Sequence, residues 1–136
     1  MVHWMYVIYA IMFIIKTQEK DDAMGSRVAE VNLEYGMPRV EDAVRNMNNA
    51  LVSQKRMGTK AVILIHGYGS TGVGGNIKLA VRKALDAPSM RGIVKTYASG
   101  ENWYYKKKEM LSLCKELKDY EGRINGNDGV TVVVFR

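Results

Sequence analysis

The spacing of hydrophobic and polar residues predicts alternating strands and helices in the first half of the chain. Arg27–Glu34 alternates apolar and polar residues, as a strand with one buried face does. Val40–Met57 places its apolar residues on one helical stripe. Ala61–Ile65 is a short, continuous apolar run, which predicts a buried parallel strand. Ile77–Leu85 returns to helical spacing, so this half has the order β-α-β-α.

The second half is less regular. Gly92–Ala98 predicts a third strand, Lys106–Tyr120 predicts a helix inside the otherwise irregular segment 99–128, and Val130–Phe135 predicts a final strand. The order β-α-β-α-β-(α)-β indicates an α/β fold. We expect an α+β sandwich: a four-stranded mixed sheet with the two main helices on one face and right-handed crossovers.

The first 23 residues differ from the rest. Met1–Ile15 is almost wholly apolar and would reach about 22 Å as a helix, whereas a hydrocarbon core is about 30 Å thick. It is therefore short for a membrane span. Three interpretations stay open: a membrane anchor, an extra helix packed on the domain, or translated sequence upstream of a true start at Met24. Residues 17–23 resemble a linker, so we divide the chain into an N-terminal segment, 1–23, and a domain, 24–136.

Composition narrows the class of partner. The chain has 136 residues, a formal net charge of +6 and one cysteine, which favours a single domain without internal disulfides in a reducing cytoplasm. Residues 1–23 contain two basic and three acidic residues, so the positive charge belongs to the domain. Excess positive charge favours phosphate-rich partners such as nucleic acid or anionic lipid.

A glycine-rich loop separates the second strand from the second helix. Gly67–Gly75 contains five glycines in nine residues. A strand, a glycine loop and a helix in this order direct backbone amides and a helix N-terminus towards an anion. Gly67–Gly72 also matches G-x-G-x-x-G, but no acidic residue ends the third strand to hold a ribose. A small nucleotide-binding enzyme is therefore only an alternative.

Polar side chains are expected beside this loop. His66 ends the second strand, and Asn32 and Glu34 end the first, so all three should meet at the carboxyl edge of the sheet. His66 is a candidate general acid or base, or a hydrogen-bond donor to a bound phosphate. The alternative is a structural histidine that is hydrogen-bonded to a carbonyl. Lys78 and Arg82 lie one turn apart on the second helix and are candidate phosphate contacts.

An aromatic and basic cluster follows the third strand. Trp103, Tyr104 and Tyr105 precede the lysine triplet Lys106–Lys108. Aromatic rings beside lysines are typical of stacking platforms with phosphate contacts. A solvated helix face is the alternative interpretation.

Three segments together resemble a known family. They are His66-Gly67-Tyr68-Gly69, the helix start Gly74-Gly75-Asn76-Ile77-Lys78, and Gly129-Val130-Thr131-Val132. In this order they resemble the Smr domain, the small MutS-related domain that is also found at the C-terminus of MutS2. The resemblance covers about residues 27–135. It implies a βαβαββ fold similar to the C-terminal domain of the third bacterial initiation factor, binding of DNA or RNA and, in several members, metal-assisted nicking.

The expected site follows from the residues and this resemblance together. The candidate catalytic residues are His66 and Glu34, and Glu34 is also a candidate ligand for Mg²⁺ or Mn²⁺ if the domain cuts. The candidate phosphate-binding residues are Gly67, Tyr68, Gly69, Gly72, Gly74, Gly75, Lys78 and Arg82.

One departure favours binding over cleavage. The family's first-strand motif, Leu-Asp-x-His or Leu-Asp-x-Arg, falls on Val31-Asn32-Leu33-Glu34, where both polar positions differ. A non-catalytic interaction module, tethered to a membrane through residues 1–15, is the alternative function.

Overall fold

The computed structural model describes residues 27–68 and 73–136. The predictions for residues 1–23, Gly69 and Gly72 lie outside the described residues. The helices and strands are β1 (Val28–Asn32), α1 (Val40–Arg56), β2 (Ala61–Ile65), α2 (Val73–Leu85), β3 (Val94–Ser99), α3 (Trp103–Leu113), α4 (Glu121–Ile124) and β4 (Val130–Phe135).

The four strands form one mixed sheet in the order β1-β2-β4-β3. β1 and β2 are parallel, and β4 runs antiparallel to both of its neighbours, β2 and β3. The last strand of the chain therefore lies in the interior of the sheet, and β3 is an edge strand. All six residues of β4 are buried, as expected for a strand that is covered on both faces.

α1 and α2 cover one face of the sheet, which confirms that part of the predicted fold. The apolar stripe predicted for α1 is the buried one, with Met47 and Leu51 fully buried. Ile77 and Val81 of α2 pack in the same core. Val133 of β4 lies under them, so the first core joins both main helices to the central strands.

The segment between β3 and β4 covers the other face of the sheet. Alternate residues of the central strands, including Ile63 and Val132, face a second core that contains Trp103, Met110 and Leu117. The cause is visible in the strands: β2 and β4 are apolar at nearly every position, so burying one face alone would expose the other to water.

The predicted helix Lys106–Tyr120 is wrong in its bounds. α3 begins at Trp103 and ends at Leu113, because Cys114 adopts an extended conformation with φ −147° and ψ 92°. A 3-10 segment, Lys115–Tyr120, follows, and α4 forms one turn where a loop was expected. Cys114 and Leu117, at and after this break, are buried in the second core with Met110.

Candidate functional site

The ends of β1 and β2 bring the predicted polar residues to one edge of the sheet. Asn32 is in register with Ile65, the residue before His66, and the Leu33 amide donates to the Ile65 carbonyl at 2.8 Å. Glu34 lies against Gly67, where a Cβ atom would overlap its carboxylate oxygen Oε2. The close placement expected from parallel strands is therefore present.

Asn32 shapes this edge through its side chain. Its Oδ1 accepts hydrogen bonds from the backbone amides of Glu34 and Tyr35, both at 2.9 Å. This Asx turn ends β1 and turns the chain so that Glu34 reaches the loop after β2. The amide oxygen is thus engaged in local structure, and Glu34 is exposed.

His66 is fully buried, and both of its ring nitrogens have partners. Nδ1 lies 3.1 Å from the Gly67 carbonyl, which can only accept, so Nδ1 carries the proton. In the neutral ring Nε2 then accepts from the Thr131 hydroxyl at 2.9 Å. This arrangement joins the end of β2 to β4, and the buried ring contacts no solvent. Its catalytic role stays a prediction.

The surroundings keep this imidazole neutral. Burial lowers the pKa of His66 from its ordinary value of 6.5, and the positive charges of Lys78 and Arg82 lower it further. The hydrogen bond to Gly67 and the charge of Asp128 oppose that shift without reversing it. His66 is therefore uncharged at neutral pH and does not supply a positive charge for phosphate.

Gly67 needs both its conformational freedom and its lack of a side chain. Its φ of +83° lies in the left-handed region, and Glu34 occupies the space of a Cβ atom. Its amide donates to the Gly129 carbonyl at 3.0 Å, beside the His66 amide, which donates to the same carbonyl at 2.9 Å. The Gly67 amide is therefore not free for a phosphate. Tyr68 follows with an exposed side chain whose ring lies close to Gly129.

α2 begins four residues earlier than its apolar stripe, Ile77–Leu85, indicates. Gly74 and Gly75 consequently lie in its first turn. The first four amides of an α-helix have no partner within the helix, and they carry the positive end of its dipole. Among the predicted phosphate-binding glycines that the structure describes, these two are the ones at a helix start.

An acidic side chain holds the two predicted cations of α2. Lys78 Nζ lies 2.7 Å from Glu101 Oε1 and 3.7 Å from Asp128 Oδ2, and Arg82 pairs with the same Glu101 oxygen. These contacts hold the pKa of Glu101 below its ordinary value. Sequence reasoning missed both acids because they lie in the segment 99–128, where no spacing relates them to α2. Thr131 was quoted in a motif, but its bond to the histidine was not foreseen.

The aromatic cluster divides between core and surface. Trp103 is fully buried and donates from Nε1 to Glu121 at 3.4 Å, so its interpretation as a stacking platform is wrong. Tyr104 and Tyr105 are 68% and 82% exposed. Lys107 Nζ lies 5.9 Å from the centre of the Tyr104 ring. Two tyrosines of this cluster are therefore accessible to a partner.

The described residues do not assemble a metal site. Within 27–68 and 73–136, no three His, Cys, Asp or Glu side chains are grouped so that they could hold an ion. Glu34 is a single exposed carboxylate, and both nitrogens of the neighbouring His66 are engaged. These two side chains are therefore too few to hold a metal ion without ligands from outside the protein.

One of three comparisons with known proteins found a match, and it agrees with the fold described above. No family model matches the chain, and neither does any curated protein sequence. Among solved structures, the Smr domain of Thermus thermophilus MutS2 aligns with a TM-score of 0.51 and 25% identity, over 79% of this chain and 98% of that one. The chain has an Smr-like fold. The Smr resemblance drawn from the glycine and Gly-x-Thr-x-Val motifs is thereby confirmed.

The membrane alternative depends on residues that lie outside the described ones. Across 27–68 and 73–136, no helix has the length and apolar character that crossing a bilayer requires. The tether through residues 1–15 stays a prediction.

Proposed function

We propose that this Smr-like domain binds nucleic acid, with phosphates held by the first turn of α2 and by Lys78 and Arg82. The observation that carries the proposal is the convergence of these two cations on the helix that follows the glycine loop, in a fold shared with the Smr domain of MutS2. Free amides at a helix start and nearby cations are the groups that bind phosphate. We also propose a cytoplasmic location, which the single cysteine of the chain favours.

Glu101 has a defined part in this proposal. Its carboxylate contacts both Lys78 and Arg82 and thus occupies the position of an anion between them. An incoming phosphate must displace Glu101 or share the two cations with it. Removing the negative charge of Glu101 should therefore strengthen binding, whereas removing the positive charge of Lys78 should weaken it.

The test measures binding of the full chain to single-stranded, duplex and branched DNA and to RNA by fluorescence anisotropy. Salt is varied between about 50 and 200 mM, because each phosphate contact contributes about 0.7 to 0.9 to the salt slope. We expect Glu101→Gln to raise the affinity and Lys78→Gln to lower it. Glu109→Gln and Lys83→Gln, at exposed positions on α3 and α2, are the matched controls. Affinity that does not change with salt would refute the proposal.

The geometry supports binding better than cleavage, because His66 is buried and the described residues do not assemble a metal site. Nicking is tested in the same reactions with Mg²⁺, Mn²⁺ or a chelator. Metal-dependent cutting that disappears in Glu34→Gln, a change at an exposed side chain, would assign a nuclease with Glu34 in its site. Binding without cutting would assign a binding module.

A further inference from the structure

A cleft of about 550 Å³ lies beside the edge strand β3, away from the glycine loop. Its walls come from the C-terminal part of α2, from β3 and from the start of α3. β3 pairs with β4 on one side only, so the other side of this strand borders the cleft. The cleft is not part of the predicted phosphate site, apart from one residue, Arg82, which also lines it.

Four cations and one acid line this cleft: Arg82, Arg91, Lys95, Lys106 and Asp86. Asp86 accepts a hydrogen bond from the Tyr97 hydroxyl and keeps its single negative charge; burial and then this 2.8 Å contact raise the pKa of Tyr97 to about 12. Among the residues that the structure describes, Arg91, Lys95 and Lys106 form no ion pair with a carboxylate. The cleft therefore carries a positive charge that its own walls do not neutralise.

Lys106 shows how this charge is positioned. Its Nζ donates to the Tyr97 carbonyl at 2.6 Å and to the Thr96 hydroxyl at 3.1 Å. Both acceptors are neutral oxygens, so they fix the ammonium group without cancelling its charge. A lysine ammonium has three donors, and one is left for an anionic ligand. Arg91 and Lys95 are exposed and can move towards such a ligand.

Arg82 connects the cleft with the proposed phosphate site. It lines the cleft and also pairs with Glu101, which holds Lys78 one turn earlier on α2. The cations therefore form a continuous path from the first half of α2 to the edge of β3. A row of phosphates matches such a path better than a single small anion does, because one anion would contact only part of it.

We propose that one strand of nucleic acid runs from the start of α2 past Arg82 into this cleft, where its phosphates contact Lys106, Arg91 and Lys95. This inference rests on the proposed function and extends its binding surface.

The experiment compares two double variants of the full chain, Arg91→Gln with Lys95→Gln in the cleft and Lys83→Gln with Lys118→Gln elsewhere. All four side chains are exposed, and both double variants remove two positive charges. Fluorescent single strands of about 4 and about 16 nucleotides are titrated with each protein, since single-strand sites cover lengths in this range. Inorganic phosphate and a nucleoside monophosphate are added as competitors.

We expect the cleft variant to bind the long strand at least tenfold more weakly, with a salt slope reduced by about 1.4 for two lost phosphate contacts. Its affinity for the short strand should be nearly that of the unchanged protein, and the control variant should behave like the unchanged protein. Equal losses in both double variants would overturn the inference. So would a monophosphate that competes as well as the long strand, because the cleft would then be a small-anion site.

Failure of this inference and failure of the proposed function give different results. If Lys78→Gln weakens binding while the cleft variant matches its control, the domain binds nucleic acid without using the cleft. If the unchanged protein binds no strand of either length, the proposed function itself is wrong.

Discussion

Replacing Thr131 by valine tests whether the buried hydrogen bond to His66 holds this edge of the sheet together. Both side chains are fully buried, and the hydroxyl donates to Nε2 at 2.9 Å. Valine has nearly the same shape, so the substitution mainly removes the donor. The imidazole cannot adapt by moving its proton to Nε2, because Nδ1 would then face the Gly67 carbonyl without a hydrogen.

The expected cost follows from that unpaired nitrogen. Leaving a buried acceptor without a partner costs about 1–3 kcal/mol. With a urea m-value of about 2 kcal/mol/M, a loss of about 2 kcal/mol lowers the unfolding midpoint by about 1 M. The assay is urea unfolding at pH 7.5, followed by circular dichroism, with the m-value required to stay constant.

Thr59→Val is the matched control. Thr59 is also buried, and its hydroxyl donates to Gln54 Oε1 at 2.7 Å, but that glutamine is half-buried and can turn to water. We expect this variant to lose less than about 1 kcal/mol, as for an ordinary hydrogen bond with a solvated alternative. Equal losses in the Thr131 and Thr59 variants would refute the reasoning that the buried imidazole depends on Thr131.

Three further predictions concern His66 and two glycines, Gly67 and Gly100. The free energy of unfolding should decrease as the pH falls through about 6.5, because the lowered pKa of His66 makes the unfolded chain bind the proton first; His66→Gln should flatten this slope in urea titrations between pH 7.5 and 5. Gly67→Ala should destabilise more than Gly58→Ala, since both residues have positive φ but only Gly67 faces a side chain at its Cβ position; equal shifts in the urea midpoint would contradict this. Gly100→Ala should lower the thermal midpoint strongly, because its Cβ atom would overlap backbone carbonyls, whereas Gly92→Ala, in open space, should have little effect. An unchanged thermal midpoint in Gly100→Ala would contradict this prediction.

The sequence predicted only one of the two hydrophobic cores. The stripe of α1 and the continuous apolar run of β2 correctly predicted a helix and a buried strand, because periodicity and burial are linked within one element. The predicted fold had both main helices on one face of the sheet and nothing assigned to the other, because no local pattern shows which segment covers it. Trp103 looked like a surface aromatic beside lysines, and its contact with the second core became visible only in three dimensions.

The sequence by itself determined the order of the elements, the glycine loop before α2, the likeness to Smr domains and the closeness of Glu34 to the end of β2. These properties depend on residues near one another along the chain, or on the rule that neighbouring parallel strands end at one edge. Tertiary structure decided that His66 is buried against Thr131 and that Glu101 forms ion pairs with both Lys78 and Arg82. It also decided that cations with no ion-pair partner among residues 27–68 and 73–136 line the edge of β3. Each of these contacts joins residues about 20 to 65 positions apart, where side-chain packing sets the distance and no sequence period reports it.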